Sequence, residues 1–393
     1  MANADSNRVR WVYKPEVTWG ETPVAGTYTE IRTTGADFNH VMTTAASAEV
    51  RSDRQVPDLV EIGGSAVGSL PFELSETEYD PFMAAILGTT FTVTTMTAAN
   101  LQAIAASSTI VRATGSFLTD GFVVGQWVKT TGFTAAANNG IFLITALTAT
   151  IMTVFPTATL VDEVSTAGRS ISGKFARNGT TPVSYVFEEQ DLDLNIYNFF
   201  NGMRVSQMDL SFATQAILTG TFALMGKGGS VSGASPLGTT VTPAQTGSVM
   251  NATANVGTIY EGTIVPPSTV PAVLTTALKS VALTVTGNLR NQPAIANKSG
   301  VGIGYGSLGI TGTLVAYFDS ITLRNKFFSH VVSGLSLRVT SVTPKTYIFT
   351  LPKLYFSDGN KQQVTINNDL LISLPFTAVR EPTQNFTMQI DIL

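Results

Sequence analysis

Cysteine is absent from the 393-residue chain. That excludes a disulfide scaffold, a cysteine-based zinc site and thiol catalysis. Charge is scarce as well: 13% of residues are charged, with Lys+Arg 23 against Asp+Glu 27 and a formal net charge of -4. Ordinary globular chains carry about 25%. A nucleic-acid reader would show a basic stripe or an aromatic-basic motif; neither is present, and the net charge has the wrong sign. The mean hydropathy is nevertheless positive, at +0.22. No run of about 18 apolar residues accounts for it, so no membrane span is expected. Residues Met1 to Trp11 are polar, with Arg8 and Arg10 and no apolar stretch of the signal-peptide kind. An apolar, weakly charged chain without a membrane span is expected to hide surface against other subunits.

What is present is alternation. Phe386, Met388, Ile390 and Ile392 alternate with Thr387, Gln389 and Asp391, and Val281, Leu283 and Val285 with Ala282, Thr284 and Thr286. Leu335, Leu337 and Val339 repeat the pattern against Ser336, Arg338 and Thr340. Period two, with Thr and Ser as partners, predicts a mostly β protein. One helix is predicted from Asp80-Pro81 as N-cap and N1, with Phe82, Met83, Ile86 and Leu87 as its apolar residues and Gly88 as its stop. A second is expected from Asp319, carrying Ile321, Leu323, Phe327 and Phe328.

Two segments interrupt the pattern. Residues 101–173 read as a small β module set into the main domain, which spans 1–100 and 174–393. Phe117, Phe122, Trp127, Phe133 and Phe142 supply the module with an aromatic core, and Asn139-Gly140 reads as a hairpin turn. Residues 228–278 are rich in Gly, Thr, Ser and Pro, with Glu261 as the only charged residue. Long structureless loops are uncommon inside compact domains, so this segment is expected to be an extended arm lying on a neighbouring subunit.

No reaction chemistry is legible. Gly304 to Gly309 spells GxGxxG, but the following residues, Ile310 to Phe318, read as a strand, whereas a dinucleotide site needs a helix there. Gly220 to Lys227 has the wrong spacing for a phosphate loop. His40 and His330 stand apart and outside any metal-ligand spacing, so no metal or cofactor is expected. The acid pairs Glu76/Glu78, Asp162/Glu163 and Glu188/Glu189 read as solvated surface or turn acids, and neighbours on a strand point to opposite faces. The chain is therefore read as non-enzymatic.

Several motifs point further. Glu16-Val17-Thr18-Trp19-Gly20-Glu21-Thr22-Pro23, then Glu49-Val50-Arg51-Ser52-Asp53-Arg54-Gln55, then Gly68-Ser69-Leu70-Pro71-Phe72-Glu73 and Tyr79-Asp80-Pro81-Phe82 follow in order, with Phe199-Phe200-Asn201-Gly202-Met203-Arg204 later. In these runs the sequence resembles the tail tube proteins of long-tailed, siphovirus-like bacteriophages. The resemblance implies a β-sandwich or barrel subunit that closes into hexameric rings, stacked into a tube that conducts the genome. It implies self-association, contacts with other tail proteins, and double-stranded DNA passing without specific binding. It places the protein in the virion tail, after assembly in the host cytoplasm. Two other classes were weighed: a bacterial surface or adhesin β-module protein, which normally carries a signal peptide and often calcium motifs, and a glycan-active tailspike, which needs two carboxylates across a cleft.

A conduit must not hold DNA. Each phosphate neutralised by Lys or Arg adds sequence-independent affinity, and ring symmetry multiplies every lumen-facing cation. A wall strand should therefore be apolar on one face and polar or acidic on the other. That pattern nominates Glu49, Glu73, Gln207, Asp209, Thr219 and Thr221 as lumen-facing. Arg51, Asp53, Arg54 and Glu261 are expected at contacts between subunits.

Overall fold

A computed structural model describes residues 5–156, 160–267, 269–342, 345–359 and 366–393. In chain order the strands are β1 (Val9–Pro15), β2 (Thr27–Glu30), β3 (Asp37–Ala46) and β4 (Leu59–Glu73), followed by helix α1 (Asp80–Ile86). Next come β5 (Thr92–Ile104), β6 (Thr109–Arg112), β7 (Trp127–Thr131), β8 (Ile141–Leu147), β9 (Ile151–Phe155) and β10 (Glu163–Arg177). The middle holds β11 (Tyr185–Asp191), β12 (Ile196–Ala213), β13 (Thr219–Gly226), β14 (Gly228–Ser232), β15 (Thr240–Thr242), β16 (Val256–Glu261), β17 (Ala272–Val273) and β18 (Leu278–Thr286). The last part holds β19 (Arg290–Gln292), β20 (Gly302–Gly304), β21 (Gly309–Tyr317), α2 (Thr322–Phe328), β22 (Ser333–Thr340), β23 (Thr346–Phe356), β24 (Leu371–Ala378) and β25 (Gln389–Ile392). The protein is mostly β, as the alternation predicts.

The body is a two-layer sandwich. The first layer runs β3-β4-β13-β12-β18-β21-β24, antiparallel throughout. The second runs β16-β22-β23-β25-β10-β5. The end of β23 pairs with β24 and turns the corner between layers. Between them lies one core: Phe72, Phe222, Leu210 and Leu283 face Leu337, Phe349 and Ile390, and all are buried. Phe212 and Phe349 meet across the gap at 6.0 Å between ring centroids. A smaller sheet, β15-β2-β1-β11-β12-β14, uses the first half of the long β12.

Helix α1 packs Phe82, Met83 and Ile86 into the main core, and Gly88, at a φ of 66°, follows its end. Asp80 is its first residue and not its cap. Its carboxylate accepts Tyr347 Oη and Lys174 Nζ, each at 2.6 Å. The second helix starts at Thr322, later than expected, because the Asp319 side chain accepts Thr276 Oγ1 and leaves the helix uncapped. Of its apolar residues only Leu323 is buried.

The inserted region is a closed ring of six antiparallel strands, β5-β6-β9-β8-β7-β10 and back to β5. Closure leaves no free edge within the ring. Phe117, Phe122, Phe133 and Phe142 fill it. Trp127 does not: on β7 it alternates with the inward Val128 and turns out toward the body, against Ile348 and Ile264. Asn139-Gly140 closes a longer connection containing a short 3-10 turn, with the Asn139 side chain bonded to the Phe133 main chain, and is not a two-residue hairpin. β5 and β10 are shared with the body, since Lys174 to Arg177 of β10 pair with β25.

The 228–278 segment departs most from expectation. It holds β14 to β17 and is strapped along its own chain. Met250 N donates to Leu74 O and Leu218 N to Met250 O, at 2.8 and 2.9 Å. Glu78 accepts the backbone N–H of both Arg32 and Gln245. These bonds and strand pairings hold the segment to its own chain.

Candidate functional site

The outer face of the first layer is the surface the wall argument concerns. Residues paired across an antiparallel sheet share a face, so the register fixes its composition. One row reads Pro71, Thr221, Asp209, Thr284, Thr311, Thr377. The next reads Glu73, Thr219, Ser211, Ala282, Thr313, Pro375, and a third Asp37, Ser69, Ala223, Gln207, Thr286, Gly309. None of these positions is Lys or Arg. Five of the six residues nominated for the lumen (Glu73, Gln207, Asp209, Thr219 and Thr221) therefore lie on one continuous face. Its centre is a shallow depression of about 330 Å³ floored by Asp209, Thr221 and Thr284. Asp209 is held rigidly: its two carboxylate oxygens accept Thr284 Oγ1 and Gln207 Nε2, both at 2.7 Å. These are neutral donors, so its negative charge is not cancelled by a cation in those bonds.

Glu49 is not on that face. β3 ends at Ala46 and β4 begins at Leu59, leaving Glu49 on the exposed connecting loop. The alternation around Val50 is short and flanked by Ser47 and Ser52, and it forms no strand. Asp37 is the acid that sequence reasoning missed; it opens β3 and bonds Asn39 Nδ2 at 2.7 Å. Its signal was Phe38, the one buried residue of that strand, which sets its neighbour outward.

The hairpin of β3 and β4 carries exposed apolar side chains at Met42, Leu59, Val60 and Ile62. On its tip Arg51 and Asp53 pair at 2.7 Å, and Arg54 sits exposed with a φ of 60°. Glu261, nominated with these three, is elsewhere. It is largely buried and engages Lys326 and Ser333 of its own chain, with Lys326 Nζ to its Oε2 at 2.6 Å. That pairing leaves it committed within the subunit.

The N-terminal motif has a structural task. Glu16 accepts the N–H of Gly20 at 3.0 Å and of Gly202 at 2.6 Å, and Trp19 Nε1 donates to Gly202 O at 3.0 Å. Burial raises the Glu16 carboxyl above its ordinary value, against these bonds. Gly202 sits at a φ of 71°, where β12 passes from the small sheet to the first layer. An added Cβ there would lie 2.9 Å from the Lys227 side chain and 3.0 Å from Trp19.

The outer face of the second layer differs. Tyr347 and Phe349 point into the main core while Ile348 between them points away, and there the inserted ring packs. Trp127 and Leu143 of the ring join Ile264 and Ile348 in one buried cluster. The acid-lined face and the ring thus lie on opposite sides of the sandwich.

Of the acid pairs, Asp162 is exposed as expected, while Glu78 and Glu188 are buried. Glu188 is fully buried and accepts Gln190 Nε2 at 2.5 Å and Ser235 Oγ at 3.0 Å. His40 Nδ1 accepts Gly229 N, and His330 stacks on Tyr355. The glycine run 304–309 leads from β20 into β21. Among the described residues no three His, Asp or Glu gather as metal ligands, and no helix is long and apolar enough to cross a membrane.

A β-sandwich with a broad cation-poor face and a protruding apolar hairpin is the geometry of a structural, self-associating subunit. The chain matches the family model for phage tail tube proteins over residues 6–378 and belongs to that family. A comparison with curated protein sequences returned no match. Family membership makes it a structural component of the virion tail.

Proposed function

We propose that six copies close into a ring, that rings stack, and that the face bearing Glu73, Gln207, Asp209, Thr219 and Thr221 lines the lumen through which double-stranded DNA leaves for the host. One observation carries this reading: three cross-strand rows spanning the first layer hold Asp37, Glu73 and Asp209 and no cation. Ring symmetry would repeat each acid six times. Their repulsion of phosphate would extend roughly 8–10 Å at physiological salt, enough to keep DNA from settling on the wall.

The inserted ring, with boundaries near 101–173, would sit on the tube exterior, because it covers the face opposite the proposed wall. The β3–β4 hairpin, carrying Glu49, Arg51, Asp53 and Arg54 at its tip, reaches neighbouring subunits, and its exposed Met42, Leu59 and Ile62 supply the apolar area. Edge-strand pairing between copies would complete the barrel and remove the exposed edge of β3. The tail would be long and sheathless, assembled in the host cytoplasm with other tail proteins.

Concentrated purified protein tests this. Hollow rings or tubes in negative stain, sedimenting as multiples of six chains, are expected. A monomer that persists across a wide range of salt and concentration would contradict it.

A further inference from the structure

Where the inserted ring meets the body, β7 and β25 lie end to end along the same edge of β10. β7 covers Ser170 to Ser172, β25 covers Lys174 to Arg177, and Gly173 stands between them. The fit is close, since an added Cβ would sit 3.2 Å from Gln126 Nε2, the Trp127 carbonyl and Leu393. Around this point runs a polar seam. Gln126 Nε2 donates to Thr94 Oγ1 at 2.5 Å, and Thr94 Oγ1 donates to Gly173 O at 3.0 Å. Gln389 Nε2 donates to Gly125 O at 2.9 Å and to Asp391 Oδ2 at 2.6 Å. Trp127 N, at the start of β7, donates to Asp391 Oδ1 at 3.3 Å.

Asp391 is completely buried, and both hydrogen bonds to its carboxylate come from neutral groups. The nearest cation in the seam, Arg177, is spent on Gln389 Oε1 and Val124 O. An ionised carboxylate is costly in such a place.

We propose that Asp391 is a protonation-controlled latch that holds the inserted ring against the body. Burial is the main cause that pushes its carboxyl up to about 8, outweighing the Gln389 bond, the Arg177 charge and the Trp127 N–H, which lower it. Other charged or titratable groups on the packed elements are Lys129 on β7, Tyr260 on β16, Arg338 on β22, and Lys174 and Tyr347 on β10 and β23; the last two face the other side, toward Asp80. Arg177 is the cation whose charge lowers the Asp391 carboxyl.

The sign follows from linkage. The docked state holds the proton more tightly than a solvated Asp. Docking is therefore strongest below the ordinary carboxylate value, weakens as pH rises, and levels off above about 8. On release the proton passes to solvent and the charged carboxylate gains water when the seam parts. The latch does not depend on ring assembly, so its failure would leave the tube reading untouched.

Hydrogen exchange at the Trp127 amide, corrected for intrinsic base catalysis, tests this on the whole chain. Protection should fall about five-hundredfold from pH 5 to 8 and then flatten, while the core amides of Phe222 and Phe349 stay protected. In Asp391→Asn, which stays neutral, the profile should be flat. A flat wild-type profile, an equal loss in Asp391→Asn, or parallel loss at Phe222 and Phe349 would each overturn the latch. If the variant does not fold, the wild-type profile against the core amides decides alone.

Discussion

The two outer faces of the sandwich obey the same alternation and meet opposite fates. On the first layer the three outward rows hold mostly Thr with Ser, Ala, Pro, Gly, Gln207 and three acids, and no further layer of the subunit packs on them. On the second layer Ile348, Gln389 and Asp391 lie at equivalent outward positions and are sealed under the inserted ring. Sequence composition distinguishes them only faintly, because both are sparse in charge. The difference lies in cover: Asp209 is half-exposed on an open face, whereas Asp391, sealed under the inserted ring, has its carboxyl pushed up by burial.

The largest expected effect breaks the wall. Asp209→Lys would place six cations in each ring, and assembled tubes should then retain short duplex DNA. Filter binding should give a log–log salt slope of about -5 per engaged ring, against no retention by the unmodified tube. Retention that does not change with this substitution would remove Asp209 from the lumen.

Next comes the seam. Trp127→Ala removes the largest side chain shared by ring and body and should cost about 3–5 kcal/mol in chemical denaturation. A second, earlier transition for the inserted ring should emerge. Glu16→Ala strips two backbone N–H groups of their acceptor and should cost about 1–3 kcal/mol, measured the same way. Smallest is Thr219→Val on the wall, expected within about 0.5 kcal/mol of the parent. A large loss there would mean the face is packed against something within the subunit.

Much of this is legible in the sequence. Alternation at Met208, Leu210 and Phe212 predicts a strand with Gln207 and Asp209 on its far side, and the register places them there. The Asp80-Pro81 helix follows from proline's fixed φ and the glycine stop. What failed shares one cause: a local pattern cannot name its long-range partner. Glu261 reads as a contact between subunits because its partner Lys326 lies far along the chain. Glu188 looked solvated because Ser235 and Gln190 close over it only in the fold. Trp127 was grouped with the ring's phenylalanines because aromatic content does not say which side of a strand a residue takes. The 228–278 segment reads as an arm lying on a neighbouring subunit because most of its pairings, to β2, β12 and β22, are distant in sequence.

Electron cryomicroscopy of the native assembly would decide the matter most directly. A six-fold hollow tube is expected, with Glu73, Asp209 and Thr221 toward the bore and the inserted ring outside. Inserted rings projecting into the channel, or a bore lined by lysine and arginine, would contradict the account.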